Sequence, residues 1–474
     1  MATEPETHGG QAKLPLPTKM KYGAGGAADN LLYYGTTSLF LPIFNVGYGL
    51  NAVMLGLAIG VPRLLDALTD PLMGNLSDNA RTRWGRRRPF MLAGIVLSAL
   101  SVILLFNPPR GMGESGLLWW FVIIGSLFFI AYTAYFIPYA AWGLELSADY
   151  LERTRVLSWR AYFNTAAGLA IPWLYPLCFM LGENETQGAR VVMVLLACVA
   201  LACGLVPVLM LKERTLPDSE IQSMPFLPSL KSALRNRPFL WIALAQIGIL
   251  LGLFISIPLT LYLGIFHIFS GNKPEAAAFG AISGTLAMVA SILGYQIGTW
   301  LAARVGKRHA VNALAGLCIA AAVSTWWLYI PGNPWPSVIP GMCISIGASG
   351  SLLVIASMVG EVCDSDELET GCRREGIFSA SMEFGKKCAI AFSTLVGGYV
   401  LAATGFDEKV TVQSVETVFA MRWGCITVIS AAMVLVIAAI SKYPIDRRRA
   451  HEISRALEAR RGTNQFANQV VTKS

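Results

Sequence analysis

About twelve apolar runs, each as long as a bilayer is thick, constrain this chain more than anything else in it. They lie near 22–46, 50–77, 89–107, 117–144, 158–182, 189–211, 239–268, 276–303, 310–330, 336–360, 377–404 and 416–441. A helix rises 1.5 Å per residue, so roughly 20 apolar residues cross a hydrocarbon core of ~30 Å. Within that core each backbone N–H and C=O must find its partner inside the protein, which predicts one α-helix per run. Charged residues make up 14% of the chain and hydrophobic ones 54%, against ~25% charged in soluble domains. The reading is an all-α polytopic membrane protein.

The loops carry the remaining charge unevenly. Arg81, Arg83 and Arg86 to Arg88 follow the second run, Arg153 and Arg155 the fourth, and Lys212, Arg214, Lys231, Arg235 and Arg237 the sixth. Arg304, Lys307 and Arg308 follow the eighth, Arg373 and Arg374 the tenth, and Lys442 with Arg447 to Arg449 the twelfth. The alternate loops hold little beyond Arg110, Arg190, Lys273 and Lys409. The bias of positive charge towards the cytoplasm then puts both termini there, in a multi-pass protein of the cell (inner, plasma) membrane. The net charge of +8 is thereby a matter of topology, and a nucleic-acid partner is not expected.

Residues 1–21 are polar, contain Pro15 and Pro17 and lack the form of a signal peptide, so they read as a cytoplasmic arm. The proline-bearing segment 212–238 divides the chain into bundles at 22–211 and 239–441, with a basic cytoplasmic tail at 442–474. Residues 446–461 have helical apolar spacing among many basic residues, which fits either a helix lying on an anionic leaflet or a solvated one. Nine scattered cysteines show no Cys-x-x-Cys spacing and read as small buried hydrophobes.

Charge inside the apolar runs is costly, at least ~2.5–3.5 kcal/mol per group, and so points to function. Arg63, Asp66 and Asp70 fall in one run, three and then four residues apart, on one helical face. One arginine does not neutralise two carboxylates, so the triad outlines a site for a small cation or a proton. An ion pair that merely locks helices is the other reading. Asp29 follows a glycine-rich stretch and precedes Tyr33 and Tyr34. It can accept hydrogen bonds from substrate hydroxyls while the rings pack on an apolar sugar face, or it can pair with a base on another helix. Lys387 lies about a third of the way into its run, which favours a cavity role. Arg160 either faces that cavity or snorkels to the surface. His267 stands alone near a membrane face, as an interfacial residue.

The two halves share a signature. Gly74-Asn-Leu-Ser-Asp78 with Arg83-Trp-Gly85-Arg86-Arg87 follows the second run, and Gly298 to Arg304 with Gly306-Lys307-Arg308 follows the eighth. A parallel repeat of two six-helix halves is the pattern of the major facilitator fold, with its binding site at mid-membrane.

At these residues the chain resembles the glycoside–pentoside–hexuronide:cation symporters of melibiose permease type. The likeness rests on Arg63-Leu-Leu-Asp66-Ala-Leu-Thr69-Asp70-Pro71, on Arg81-Thr-Arg83-Trp84-Gly85-Arg86, on Ile137-Pro138-Tyr139 with Asp149 and Glu152-Arg153, and on the loop from Asp364 to Glu375. It covers nearly the whole chain. It implies a sodium or proton site at Asp66 and Asp70, with Thr69 and Thr133 as further oxygen ligands. It implies a sugar site at Asp29 with Tyr33, Tyr132, Arg160 and Lys387. It implies a latch formed by Asp78 with Arg83 and Arg86, beside Arg63, and a gating or structural role for Asp364 and Arg373. Two positions depart from the melibiose type: Phe136 stands where a second sugar-binding aspartate is expected, and Ala28 where a lysine is. Galactoside specificity therefore does not carry over.

The expected function is cation-coupled symport, with Na+ or H+, of a sugar or glycoside by alternating access. The alternative is a symporter of the same fold carrying a lysophospholipid or organic anion, since animal lysolipid carriers share the second-run motif. No cofactor beyond the coupling ion is expected, and the partners are a small molecule and the lipid bilayer, with the protein working as a monomer. The absence of a His-rich metal motif, a Gly-x-Ser-x-Gly or a phosphate loop argues against an enzyme.

Overall fold

The structure, a computed structural model, describes residues 14–147, 150–213, 226–372, 374–407, 410, 413–453 and 455–457. Arg373 and Asp149 lie outside the described residues, as do 214–225 of the central segment and the end of the tail. The principal helices are α1 (Leu16–Asn30), α2 (Ala52–Asn79), α3 (Arg88–Leu105), α4 (Glu114–Glu145), α5 (Tyr150–Gly168) and α6 (Glu185–Met210). The second set is α7 (Arg237–Tyr262), α8 (Lys273–Val305), α9 (Lys307–Leu328), α10 (Val338–Thr370), α11 (Glu375–Ala403) and α12 (Val415–Ser441).

Among the described residues, eleven helices are long and apolar enough to cross a membrane. The first run falls short of that standard because its helical stretch, 16–38, carries Lys19, Lys21, Asp29 and Asn30 among glycines and so is less apolar; it is also irregular. α1 continues into π-helical turns at Leu31–Gly35, a short α-helix at Thr36–Ser38, and further π-helical turns at Phe40–Gly47. Pro42 brings no N–H to this stretch. After α5, a 3-10 turn at Ile171–Trp173 leads into a helix at Leu174–Leu181, and Pro172 and Pro176 account for the break.

The chain divides into two compact units, Met1–Tyr48 with Leu68–Ser223, and Gly49–Ala67 with Met224–Ser474. This differs from a division at the central segment: the first part of α2 packs with the second half of the chain. Small residues explain it. A Cβ at Gly56 would stand 3.0 Å from the Thr394 carbonyl of α11, and one at Gly398 2.6 Å from the Ala52 carbonyl. Backbones that close give van der Waals contact that larger side chains would forbid.

Within the first unit, α1 packs on α5 and α6, and α3 on α4 and α6. Glycines again set the spacing. A Cβ at Gly26 would lie 2.7 Å from the Arg160 carbonyl, and one at Gly94 2.9 Å from that of Ala131. In the second unit α8 packs on α10, α7 on α11 and α12, and α9 on α10 and α12. The Gly298–Gly350 approach brings α8 and α10 together.

Two expectations are adjusted. Ile445, Ile453 and Leu457 of the tail are buried, so this part of the tail turns its apolar side to the protein rather than to lipid or water. His267 accepts or donates a bond at 3.1 Å with the Tyr329 carbonyl, a local structural tie. No cysteine forms a disulfide among the described residues.

Candidate functional site

Asp29 is held inside the first unit, 7% exposed, at the end of the glycine-rich face of α1. The Tyr132 hydroxyl of α4 donates to its Oδ1 at 2.6 Å, and Arg160 Nη2 of α5 pairs with its Oδ2 at 3.2 Å. An acid this deep needs such partners, since an unpaired buried charge costs several kcal/mol. Rings wall the cluster. Tyr132 stacks on Phe136 at 5.5 Å and 8°, and Tyr33 leans on Tyr132 at 5.3 Å. The Arg160 guanidinium stands 5.4 Å from the centre of Phe136 and 5.2 Å from that of Tyr139, within cation–π range. Beside it Asn30 Nδ2 donates to Asn164 Oδ1 at 2.8 Å. The sequence reading did not place Phe136, Tyr139, Asn30 or Asn164 in the site. Arg160 faces inward and does not snorkel.

The acids of α2 have different neighbours. Asp66 is 1% exposed, and Lys387 Nζ of α11 lies 2.9 Å from its Oδ2, both in the second unit. Lys387, expected among the sugar ligands, is therefore on the carboxylate expected to bind the ion. Arg63 Nη1 donates to Thr394 Oγ1 at 3.0 Å, which ties it to α11. One turn beyond Asp66, Asp70 accepts from Thr133 Oγ1 of α4 at 3.2 Å, and Thr69 Oγ1 donates to Thr133 Oγ1 at 3.4 Å. Carboxylate and hydroxyl oxygens are the donors a hard cation prefers. Among the described residues no group of three or more His, Cys, Asp and Glu converges as a metal site.

The ion pairs at the end of α2 correct the expected latch. Asp78 pairs with Arg87 at 2.9 Å, not with Arg83 or Arg86. Arg87 also pairs with Glu145, the last residue of α4, at 2.7 Å, and Arg86 reaches the same carboxylate at 2.7 Å. Arg83 is exposed in the turn. Successive residues point in directions far apart, so of three consecutive arginines one turns fully inward, and Arg87 is 3% exposed. Glu213 accepts from the Arg87 backbone N–H at 3.1 and 3.2 Å, and Gly85, with φ of +107°, leaves room for its carboxylate.

The second unit repeats this clamp with other residues. Lys307, which opens α9, pairs with Glu361 of α10 at 2.9 Å, and the Tyr443 hydroxyl donates to Glu361 at 3.1 Å. Burial, and then the nearby Glu361 charge, push the Tyr443 hydroxyl well above its ordinary range, so it remains a donor. In the last turns of α10 Asp366 pairs with Arg374 of the following loop, at 2.5 and 2.7 Å; Asp364 is half-buried. The hydrogen bonds that Arg374 donates to the Asp366 carboxylate hold the guanidinium above its ordinary range.

Helices of membrane-crossing length in both halves of the chain, with buried ion pairs among them, fit the major facilitator fold. A bacterial homolog of the human lysosomal transporter Spinster has the same fold, with a TM-score of 0.67 at 13% identity over 90% of this chain and 95% of that one. Residues 21–447 match the family model described as MFS/sugar transport protein, and the chain belongs to that family, among the glycoside–pentoside–hexuronide:cation symporters. It is a transporter and not an enzyme. Similar chains include an uncharacterized symporter of Synechocystis, 27% identical over 95% of this chain and 98% of its own length. An isoprimeverose transporter of Lactiplantibacillus pentosus is 25% identical over 94% of this chain and 92% of its own.

Proposed function

We propose that the protein couples a sodium ion or proton to a sugar or glycoside and carries both by alternating access. One observation carries the reading. Consecutive residues of α4, Tyr132 and Thr133, hold Asp29 and Asp70 respectively. A cation drawn to the α2 carboxylates takes oxygens from Asp66, Asp70, Thr69 and Thr133 and turns the Thr133 hydroxyl from Asp70 towards itself. The backbone of α4 passes that adjustment to Tyr132, and so to the carboxylate that receives sugar hydroxyls. By linkage, cation and sugar then raise each other's affinity equally.

Asp29 accepts from sugar hydroxyls, Arg160 donates to ring or glycosidic oxygens, and Tyr33, Tyr132 and Phe136 pack on the apolar face of the ring. Lys387 holds Asp66 in charge balance until the ion replaces it. The Arg87–Glu145–Asp78 and Lys307–Glu361 clamps tie helix ends within each unit and must loosen as the protein changes state. The sugar class also accords with a relative named as an isoprimeverose transporter. Placement in the plasma (inner) membrane with both termini cytoplasmic follows from the loop charges, and a monomer suffices.

The test is uptake by proteoliposomes of a labelled pentoside and hexoside panel under imposed sodium or proton gradients. Wild type accumulates at least one sugar against its gradient, and Asp66→Cys or Asp70→Cys abolishes accumulation. Continued accumulation by both variants overturns the assignment.

A further inference from the structure

We propose that a groove on the first unit, formed by α1, α5 with its continuation, and α6, is the seat of one acyl chain of a bilayer phospholipid. This goes beyond the transport reading and does not rest on which substrate is carried. The groove has a volume of about 380 Å³. Buried Ala27 of α1, Leu31, Leu174, Val192 and Leu196 line its depth, and Ala166 and Ala167 of α5, with Ala170 just after it, are small side chains that leave it open. Its rim is made of long ones, and Leu181, Leu195 and Val199 are 45%, 54% and 52% exposed. Apart from the Cys203 thiol, every lining side chain is a hydrocarbon.

Composition and position choose the occupant. Two of its three walls, α5 with its continuation and α6, are among the helices long and apolar enough to cross a membrane, so the open side of the groove meets lipid. Water held there would need two to four polar partners, and the lining offers none but a thiol. Along α6 the groove runs from Val192 to Cys203, roughly 16 Å at 1.5 Å per residue. That is about half of a ~30 Å hydrocarbon core, the depth of one leaflet. It starts beside the Gly182 turn joining α5 to α6, where a head group has access to the surface. A straight chain fits such a slot, and a sugar does not.

The seat adjoins the buried acid cluster. Ala27 and Leu31 flank Asp29 and Asn30 on α1, and Phe163 precedes Asn164, the partner of Asn30. A chain in the groove therefore backs the α1–α5 contact that holds the Asp29–Arg160 pair.

The test uses the full chain in vesicles of phosphatidylethanolamine and phosphatidylglycerol doped with a diazirine-acyl phosphatidylethanolamine, followed by peptide mapping. Adducts are expected in 163–181 and 192–203 in excess over the other lipid-facing helices. Ala167→Leu and Ala170→Phe, each putting a larger side chain into the groove, are expected to lose that excess; either suffices if the other does not elute as a monodisperse protein. Even labelling of all outer faces, an annular coat only, overturns the proposal, as does an excess that survives in a folded filled variant. Movement of lysophosphatidylethanolamine across the vesicle by the wild type that is lost in the filled variants also overturns it, by making the groove a transport path.

Discussion

Replacing Lys387 by methionine separates the role of its charge from that of its bulk. Its ammonium lies 2.9 Å from Asp66, with side-chain exposures of 12% and 1%. At that separation the attraction is about 6 kcal/mol at an effective dielectric of 20. Desolvation offsets part of it, and loss of one member of a buried pair costs ~3–5 kcal/mol because the other charge is left behind. Lys387→Met and Asp66→Asn are each expected to lose stability on that order. The double variant removes both charges and should recover most of the loss, as replacement of whole buried pairs does. The assay is thermal unfolding in detergent of the four proteins, with and without sodium. Sodium should stabilise Lys387→Met more than wild type, since a bound ion adds RT ln(1 + [L]/Kd), about 2.7 kcal/mol at 100 times Kd. A Lys387→Met protein as stable as wild type without cation, with no recovery in the double variant, refutes the reasoning.

Other outcomes follow from the same geometry. Tyr132→Phe removes a charge-assisted hydrogen bond to Asp29 worth ~1.5–3 kcal/mol and should raise the KM for sugar uptake about tenfold or more. Arg87→Ala strips the inward cation from Asp78 and Glu145 and should cost ~3 kcal/mol or more, whereas Arg83→Ala, at an exposed site, should stay within about 0.5 kcal/mol; thermal unfolding compares them. Gly94→Leu would drive a side chain into the α4 backbone and should abolish monodisperse expression, while Gly280→Ala, with nothing within 4 Å, should be tolerated.

Helix number, length and class were legible because apolar length is read directly as a bilayer crossing, and the Arg63–Asp66–Asp70 spacing placed the acids on one face before any coordinates. The partners of those acids were not legible. Tyr132 and Arg160 meet Asp29 from helices far away in sequence, with separations of 103 and 131 residues. Lys387 was expected among the sugar ligands and instead meets Asp66, since its depth in the run says nothing of the neighbour it faces. In the Arg86-Arg87-Arg88 run composition was clear but direction was not, and the inward turn of Arg87 is set by α4 and Glu213. The Gly56 and Gly398 approaches to α11 and α2 were a possible signal that α2 packs with the later helices, yet pairing small residues across a chain requires the fold first. The wide turns of α1 carry no distinct periodicity that a sequence could reveal.

Those wide turns bear on Tyr33 and Tyr34, which sit within Leu31–Gly35. A π-helical turn holds one residue more than its neighbours, and such turns recur at working sites. The surplus can be handed from one turn to the next, so the ladder reconnects locally and both ends of the rod stay where they are. Handing it on by one step swings the rings around the axis and exchanges the aromatic, half-buried Tyr33, for the exposed Tyr34. The wide turn after α1 thus sets which of the two rings turns inward, with no hinge and no break in the span.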